Sequence, residues 1–368
     1  MKTVCNPEKC TGCGTCSCGC PVSAIAIANR IRNFSAVINE EKCIGCGKCK
    51  EVCAQINEAE KKEPVYFKQG WAKKEAIRKK STSGGVAAAI TKAFIEDGGY
   101  VASCIYEKGK FIYKIVNDLE TARRFAGSKY VKSDPGSIYK EIKDLLKKNE
   151  KVLFIGLPCH CAALKKAAGE DKKLYTADIL CHGTPSAWLL RKYLLENGID
   201  IYKVKNITFR DGIYYGITCD GNRLSPKRSM DPYTIAFTGG IDFPLSCYDC
   251  GYADSKRVSD ITLGDAWGQM SDNEPMGVSY IQCQTQKGIS LVESSGLHLE
   301  NVDEKRVKEA NEALRKCAEK TEAVDYFFEM IEQGKSFSSC VKRAMPKMYR
   351  KQKIKTVLIR TGIMKDRA

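Results

Sequence analysis

Eight cysteines near the start of the chain occur in two copies of one spacing, and this pattern constrains the fold more than any other feature. Each copy has the form C-x2-C-x2-C-x3-C. The copies are Cys10, Cys13, Cys16 and Cys20, and then Cys43, Cys46, Cys49 and Cys53. Three closely spaced thiolates can bind one face of an iron–sulfur cube, whereas the fourth ligand must approach from another direction.

This spacing is typical of a bacterial two-cluster ferredoxin, in which the last cysteine of each run ligates the other cluster. We therefore predict two 4Fe-4S clusters, one on Cys10, Cys13, Cys16 and Cys53, the other on Cys43, Cys46, Cys49 and Cys20. Residues 1–57 then form an electron-transfer module. The remainder of the chain is expected to hold the site at which those electrons are used.

The cysteine content also bears on the cellular compartment. The chain has 20 cysteines but neither a signal peptide nor a run of roughly 18 apolar residues. We therefore predict a cytoplasmic protein without a transmembrane segment, in which the cysteines are metal ligands and free thiols.

The net charge favours an anionic partner or cofactor. The formal charge is +16 over 368 residues, and three clusters of roughly −2 each would reduce it to roughly +10. An excess of this size favours an acidic protein or an anionic cofactor. Nucleic acid is not predicted as a partner, because no known nucleic-acid-binding motif accompanies the charge.

Beyond the first module, the pattern predicts an α+β protein in which the ferredoxin-like module precedes a mixed α/β domain and a helical C-terminal region. The polar segment 58–64 is the predicted linker. Residues 65–300 alternate helical and extended patterns, as in an α/β core with a mixed sheet. They include a hairpin with Lys108-Gly109 at its turn and an amphipathic helix within 137–151.

Residues 303–368 are predicted to be mostly helical, with a basic end. The last 27 residues hold ten Lys or Arg and one acid, Asp366. This composition is typical of a solvated helical tail. It also fits a dock for an acidic electron-transfer partner or for a membrane surface.

A second group of cysteines lies in the middle region. Two predicted strands end in cysteines, Cys159 and Cys181, and sites in α/β folds collect where strands end. Cys247 and Cys250, in CYDC, add a close pair. These four thiols predict a third 4Fe-4S cluster, while a tetrahedral zinc site and free structural cysteines are the alternatives that the spacing leaves open.

Other polar residues of the middle region are candidates for a cofactor site. The loop 81–85 (STSGG) precedes a predicted helix, whose exposed N–H groups suit a phosphate or a flavin carbonyl; an ordinary helix cap explains it equally well. Lys129 follows a turn. His160 and His182 each follow a predicted cluster cysteine, where an imidazole bonds to cluster sulfur, relays a proton or packs at a tight turn.

Several motifs together resemble the beta subunit of coenzyme F420-reducing hydrogenases and dehydrogenases. They are STSGGV, GSKYVKSD, GLPCHCAALK, DILCHGTPS and CYDCGYADSKRVSDITLGDAWG. The resemblance covers residues 1–57 as a fused ferredoxin and most of 65–300. It implies FAD, or FMN in its place, in the middle domain beside a 4Fe-4S cluster, as in relatives from anaerobic bacteria.

The resemblance also implies which residues form the site. The third cluster's ligands are Cys159, Cys181, Cys247 and Cys250. The residues near the flavin are Ser83, Gly84, Gly85, Gly127, Lys129 and Tyr130, with Lys129 and His182 as catalytic candidates. The last motif places Arg257, Asp260, Asp265 and Trp267 near this site. His160 departs from the family, in which glutamine often follows the cysteine.

We therefore predict an oxidoreductase that passes electrons between ferredoxin-type clusters and a two-electron small-molecule substrate through FAD. The expected partner is a redox protein such as ferredoxin or a hydrogenase or dehydrogenase subunit. Two alternatives remain. One is an electron-transfer subunit of a larger coenzyme F420-linked complex, and the other is a metal-binding protein with zinc in its middle domain.

Overall fold

The computed structural model describes residues 2–267, 274 and 276–366. The ends of the predicted regions 1–57 and 303–368, and part of 65–300, therefore lie outside the described residues. The strands are β1 (Ile25–Asn29), β2 (Phe34–Ile38), β3 (Tyr66–Ala72), β4 (Tyr100–Glu107), β5 (Lys110–Val116), β6 (Val152–Gly156), β7 (Leu174–Ile179), β8 (Ile207–Asp211), β9 (Tyr214–Cys219), β10 (Asn222–Arg223), β11 (Ile261–Asp265), β12 (Ser279–Cys283) and β13 (Leu297–Glu300).

The helices vary from one turn to four. They are α1 (Thr15–Cys18), α2 (Lys48–Glu51), α3 (Glu75–Arg78), α4 (Val86–Glu96), α5 (Leu119–Ala122), α6 (Ile138–Lys147), α7 (Pro158–Ala168), α8 (Ala187–Glu196), α9 (Pro232–Thr238), α10 (Gln286–Ser294), α11 (Glu304–Ala310), α12 (Glu322–Glu332), α13 (Phe337–Ala344) and α14 (Pro346–Arg360). None of the described helices is long and apolar enough to cross a membrane.

The N-terminal module repeats its backbone as well as its cysteines. Gly14 and Gly47, 33 residues apart, precede α1 and α2 with φ angles of 76° and 75°. Gly12 and Gly45 form a second matching pair with positive φ. Such angles favour glycine, which explains its position in both cysteine runs. The antiparallel pair β1–β2 lies between the two halves.

The middle of the chain forms a mixed sheet, as predicted. Its eight strands run in the order β13-β3-β12-β11-β7-β6-β4-β5. The central strands β11, β7, β6 and β4 are parallel, and antiparallel strands flank them on both sides. Every residue of β6 is buried, as expected for a strand covered on both faces. The carboxyl ends of β11, β7 and β6 therefore meet at one edge.

The predicted hairpin is confirmed as β4–β5, which pair antiparallel around a turn at Lys108 and Gly109. Both residues have positive φ, 48° and 78°. The predicted amphipathic helix is α6, which buries Ile138 and Ile142 and leaves most of its charged residues exposed.

One predicted strand ends earlier than expected. The segment before Cys159 stops being extended at Gly156, and Cys159 instead lies in the first turn of α7. Pro158 occupies the first turn of that helix, where its fixed φ and missing N–H are tolerated. Cys181 lies two residues beyond the end of β7. Both cysteines are therefore at the predicted edge, although one is on a helix.

The C-terminal helices pack on the middle region. Helices α12 and α13 share an apolar core with α8, α9 and the small antiparallel sheet β10-β9-β8. Phe327, Phe328 and Phe337 are fully buried in this core. In α14, by contrast, most residues are exposed, including Ile354 and Val357.

Candidate functional site

A cavity of about 950 Å³ opens at the carboxyl edge of the parallel strands. Its floor includes Ile155 at the end of β6, Ile179 at the end of β7 and Leu263 on β11. The volume lies at the upper end of the range of ordinary ligand pockets. It is therefore large enough for an extended cofactor.

One wall of the cavity is the loop 81–85. Ser83 and Gly85 line the cavity, and Gly85 has a φ of 80° at the start of α4. No side chain caps this helix, so its first N–H groups are available to a ligand. Gly84 has a different role, because a Cβ there would lie 2.4 Å from the carbonyl oxygen of Gly70. Its lack of a side chain lets the loop pack directly on the sheet.

The segment 127–130 lies beside the loop 81–85 in the cavity lining. The hydroxyls of Thr82 and Ser128 lie 3.0 Å apart and join the two loops. The Lys129 Nζ donates to the carbonyl oxygens of Phe125 at 2.7 Å and Ala126 at 2.9 Å. Burial lowers the pKa of Lys129 to about 8. The structure thus places this amino group on the backbone of the cavity wall.

Aromatic rings enclose the inner end of the cavity. Tyr130 stacks on Phe237 with ring centroids 4.3 Å apart. The guanidinium of Arg210 lies over the rings of Tyr215 and Trp267, at 5.1 and 5.4 Å from their centroids. These side chains all line the cavity. Flat, rigid surfaces of this kind suit a planar heteroaromatic ring.

The charge of Arg210 is balanced within this wall. Its Nη1 lies 2.6 Å from the Oδ2 of Asp265, and both side chains are largely buried. Asp265 ends β11, while Arg210 is on β8 in the small sheet. The ion pair therefore joins the two sheets at the cavity.

The two predicted histidines lie in different environments. The ring of His182 faces the cavity, and its Nε2 lies 3.3 Å from the carbonyl oxygen of Phe237. His160 is fully buried, with its Nδ1 2.9 Å from the hydroxyl of Tyr113. Burial lowers the pKa of His160 well below its usual range. Tyr113, in turn, lines the cavity.

The four middle cysteines lie behind the cavity. The thiols of Cys181, Cys159 and Cys250 lie close enough for their charges to interact, and Cys247 is similarly close to Cys181 and Cys250. Cys181 also lines the cavity. The Lys132 Nζ lies 3.2 Å from the Sγ of Cys159. Each of the four thiols that the sequence singled out is thus within range of the charge of at least two of the others.

A buried ion pair fixes the segment that carries the CYDC cysteines. Arg257 lies 2.9 Å from Asp178 on β7, and their side chains are 1% and 0% exposed. Arg257 also donates to the carbonyl oxygen of Tyr252. Asp260 instead accepts from the N–H and hydroxyl of Thr176, away from the cavity lining. Arg257 and Asp260 therefore hold the site in place from outside the cavity.

The first cysteine run contacts the middle region directly. The thiol of Cys13 is close enough to Cys159 for their charges to interact. Tyr139 on α6 is fully buried and donates a hydrogen bond of 2.9 Å to the carbonyl oxygen of Cys13. The N-terminal module is thus packed with its first cysteine run against the middle cysteines.

The two cysteine sets of the N-terminal module differ in exposure. Cys10, Cys16 and Cys53 are buried together, which brings the last cysteine of the second run beside the first run. Cys43 and Cys46 are exposed. The first set is therefore internal and the second is at the surface.

The thiols are not arranged around a point. In the part of the chain that the structure describes, no three His, Cys, Asp or Glu side chains converge as the ligands of a single metal ion would. A 4Fe-4S cube binds each thiolate through a different iron and requires a wider cage. The donor chemistry of the three cysteine sets fits such clusters.

Two models of known protein families match parts of the chain. Residues 2–54 match the model of the 4Fe-4S dicluster domain. Residues 149–305 match the model of the C-terminal region of the coenzyme F420 hydrogenase/dehydrogenase beta subunit. The resemblance seen in the sequence motifs is confirmed.

Two individual proteins extend the comparison. The coenzyme F420-dependent sulfite reductase of Methanocaldococcus jannaschii is 24% identical over 360 residues, which covers 89% of this chain and 54% of that protein. The chain thus spans about half the length of that relative. A chain of the F420-reducing [NiFe] hydrogenase complex from Methanosarcina barkeri has a similar fold, with 17% identity and a TM-score of 0.50, over 75% of this chain and 94% of that chain.

Sequence reasoning missed several residues of the candidate site. Lys132, Tyr113 and Phe237 carry no local signal of their roles, since their partners lie 27 or more residues away in the chain. Cys5 has the sequence context of an ordinary buried thiol, but it lies beside Cys10 and Cys53. The motif GSKYVKSD contains Lys132, so it is the part of the sequence that could have led to this residue.

Proposed function

We propose that this chain is an iron–sulfur flavoprotein oxidoreductase that transfers electrons between ferredoxin-type clusters and a two-electron substrate in the cavity. The match to a 4Fe-4S dicluster domain supports the two N-terminal clusters. The beta subunit family supports an oxidoreductase. Clusters carry one electron and a flavin one or two, so together they supply the conversion to two-electron chemistry.

The observation that carries this proposal is the order of the cysteine sets. Exposed Cys43 and Cys46 belong to the outer set, and the inner set follows within the same module. Cys13 of the inner set lies beside Cys159 of the middle set, and Cys181 of the middle set lines the cavity. A row of ligand sets from surface to cavity is the arrangement that electron transfer between the two would need.

The cavity walls support a flavin as the bound group. The loop 81–85 offers hydroxyls and free N–H groups for phosphate or carbonyl oxygens. Within the segment 127–130, Tyr130 offers a flat aromatic surface. We assign FAD, with FMN as the smaller alternative, to this wall, with Ser83, Gly85, Gly127, Lys129 and Tyr130 as its neighbours.

Two residues are assigned roles in the reaction. His182 faces the cavity next to Cys181, so its imidazole is placed to hold or move a proton at the reacting ring. Lys129 keeps the wall in place by donating to backbone carbonyls. Both relatives are named for coenzyme F420, so we propose a deazaflavin of that class as the first substrate to test.

Iron content tests the cluster assignment. Anaerobically purified chain is expected to hold about 12 iron atoms, three clusters of four. Cys250→Ser should remove one cluster signal from low-temperature EPR and leave two. About eight iron atoms with one zinc would instead support zinc in the middle region, and loss of every signal would refute the separation of the three sets.

A blocked cavity tests the flavin assignment. Ser128→Trp should place a large ring in the cavity beside Thr82 and give iron-loaded protein without flavin. The same replacement at the exposed Ser290 on α10 is the control and should leave flavin content unchanged. Gly84 is unsuitable for this test, because any side chain there meets the backbone of the sheet. Full flavin content in Ser128→Trp would reject this wall as the binding site.

A second candidate function is an electron-transfer subunit of a larger complex. The surface around the outer cysteines supports it, since Ile44, between Cys43 and Cys46, is 64% exposed. Exposed apolar side chains beside a redox site suit a docking partner. Turnover of coenzyme F420 by the purified chain with an artificial one-electron acceptor would favour an independent enzyme, and activity only with added subunits would favour the second candidate.

A further inference from the structure

A buried cation that the proposed function does not use lies at the middle cysteine set. Lys132 is 8% exposed, and its Nζ lies 3.2 Å from the Sγ of Cys159. The thiols of Cys247 and Cys181 are also within range of its charge. The Cys250 thiol is in range as well, so the charge of one ammonium group reaches all four middle cysteines.

The position of Lys132 is fixed from both sides. Its backbone N–H donates a 2.8 Å hydrogen bond to the carbonyl oxygen of Pro185, four residues after Cys181. The preceding residue, Val131, is buried in the core that includes α8 and α9. This anchoring aims the side chain at the cysteines rather than at solvent.

The surroundings of Lys132 leave its charge without a carboxylate. Among the described residues, no Asp or Glu forms an ion pair with it, whereas the neighbouring cation Arg257 has Asp178. A buried ammonium is costly unless an anion compensates it. The available anions are the thiolates, which a bound 4Fe-4S cluster would hold deprotonated.

The geometry points to Lys132 as a positioning residue that raises the reduction potential of the cluster on Cys159, Cys181, Cys247 and Cys250. This inference rests on the proposed third cluster. Reduction adds one negative charge to the cluster, and a nearby buried cation with a hydrogen bond to a ligand sulfur favours that more negative state. Acceptance of an electron from the inner cluster then becomes easier.

Potentiometric EPR titration of the anaerobic, fully loaded chain tests this role. Lys132→Met should lower the potential of one of the three clusters by at least about 59 mV, a tenfold change in its one-electron reduction equilibrium. Lys132→Arg keeps the charge and should stay close to the wild-type potential. Lys132→Gln keeps only a donor and should lie between them.

A matched control removes the same charge elsewhere. Lys165 lies on α7, the helix that carries Cys159, but its side chain pairs with Glu170 at 3.7 Å. Lys165→Met should leave all three potentials unchanged. An equal shift in this variant would show that net charge, rather than the contact with Cys159, sets the potential, and would overturn the inference.

The possible outcomes separate this inference from the proposed function. Three clusters with unchanged potentials in Lys132→Met would refute the role of Lys132 alone. Loss of the third cluster from the Met and Gln variants, with retention in Arg at the native potential, would support the need for a positive charge. Loss from all three variants would assign Lys132 to packing. Wild-type protein with only two clusters would refute both claims.

Discussion

At the scale of single residues, the strongest constraints on this site are buried charges rather than the cysteines themselves. Arg257 and Asp178 are withdrawn from solvent and join the CYDC segment to β7. Lys132 is withdrawn in the same way beside Cys159. Each buried charge fixes a neighbouring cysteine only while its counter-charge is present, so these positions are sensitive to substitution.

Breaking the buried ion pair should be costly. Arg257→Met leaves the carboxylate of Asp178 buried without its partner, and we expect a loss of about 3–5 kcal/mol in the free energy of unfolding. Urea denaturation of the cluster-loaded chain measures it. The exposed pair Lys147–Asp144 is the control, since Lys147→Met should cost about 0–1 kcal/mol. If Arg257→Met lost no more stability than Lys147→Met, the role of the buried pair would be contradicted.

The amino group of Lys129 should make stability depend on pH. Burial lowers its pKa to about 8, whereas the unfolded chain keeps the ordinary value of about 10.4. Unfolding therefore takes up a proton between about pH 8 and 10, and the free energy of unfolding should rise as pH increases through that range. Lys129→Met should flatten this slope, and Lys147→Met should preserve it. A slope that persists in Lys129→Met would assign it to other groups.

The sequence predicted the donors of the site better than their surroundings. The spacing of a cysteine run such as Cys10 to Cys20 is typical of cluster ligands, so the ligand sets could be proposed from the sequence alone. The sequence singled out Lys129 and did not point to Lys132, which lies three positions later. Only the folded chain aims the first at backbone carbonyls and the second at Cys159.

At the scale of elements, local signals predicted the boundaries that local physics controls. The turn at Lys108-Gly109 and the start of α4 after Gly85 follow from glycine and its positive φ. The predicted end of β6 is wrong because an apolar run does not reveal where a strand becomes a helix. Pro158 gave the signal, since it is favourable in the first turn of α7.

The N-terminal cap of helix α9 should stabilise a part of the chain that lines the cavity. Asp231 caps it by accepting from the N–H of Thr234 at 3.0 Å, and it also accepts from the N–H of Ile217 on β9 at 2.9 Å. Asp231→Ala removes the cap and leaves a buried N–H of Ile217 unpaired. We expect a loss of about 2–4 kcal/mol in the free energy of unfolding.

A surface cap provides the control for this change. Asp303 caps α11 through the N–H of Arg306 at 3.3 Å and is exposed, so Asp303→Ala should cost about 1 kcal/mol. Phe237 on α9 stacks on Tyr130, and its carbonyl oxygen contacts His182. Because both contacts require the helix to be in place, Asp231→Ala should also lower flavin content. Equal costs for the two variants would show that the link to β9 adds nothing.

At the scale of the whole molecule, long-range packing decides how the parts are connected. The mixed α/β sheet could be predicted because its strands and helices alternate along the chain. The proximity of Cys13 to Cys159 could not, since they are 146 positions apart and no local pattern shows which face of the N-terminal module packs on α6. That proximity places the first cysteine run next to the middle cysteines.

This order of the cysteine sets predicts that electron entry at the surface can be blocked without an effect on flavin reduction at the cavity. Cys46→Ser should disable the outer cluster, because Cys46 is exposed in the outer set. Reduction by a one-electron donor protein should then slow at least about tenfold, a barrier increase of about 1.4 kcal/mol. Flavin reduction by a two-electron donor at the cavity should keep its wild-type rate. The cavity lies at the other end of the row, and electrons that enter there do not pass through the outer cluster. Rapid-mixing absorbance under anaerobic conditions measures each half-reaction, with Cys250→Ser as the comparison.

Because Cys250 belongs to the set next to the cavity, that variant should keep the outer cluster reducible while the flavin receives no electrons from it. If Cys46→Ser slowed both half-reactions equally, the row of clusters would not be the route between surface and cavity.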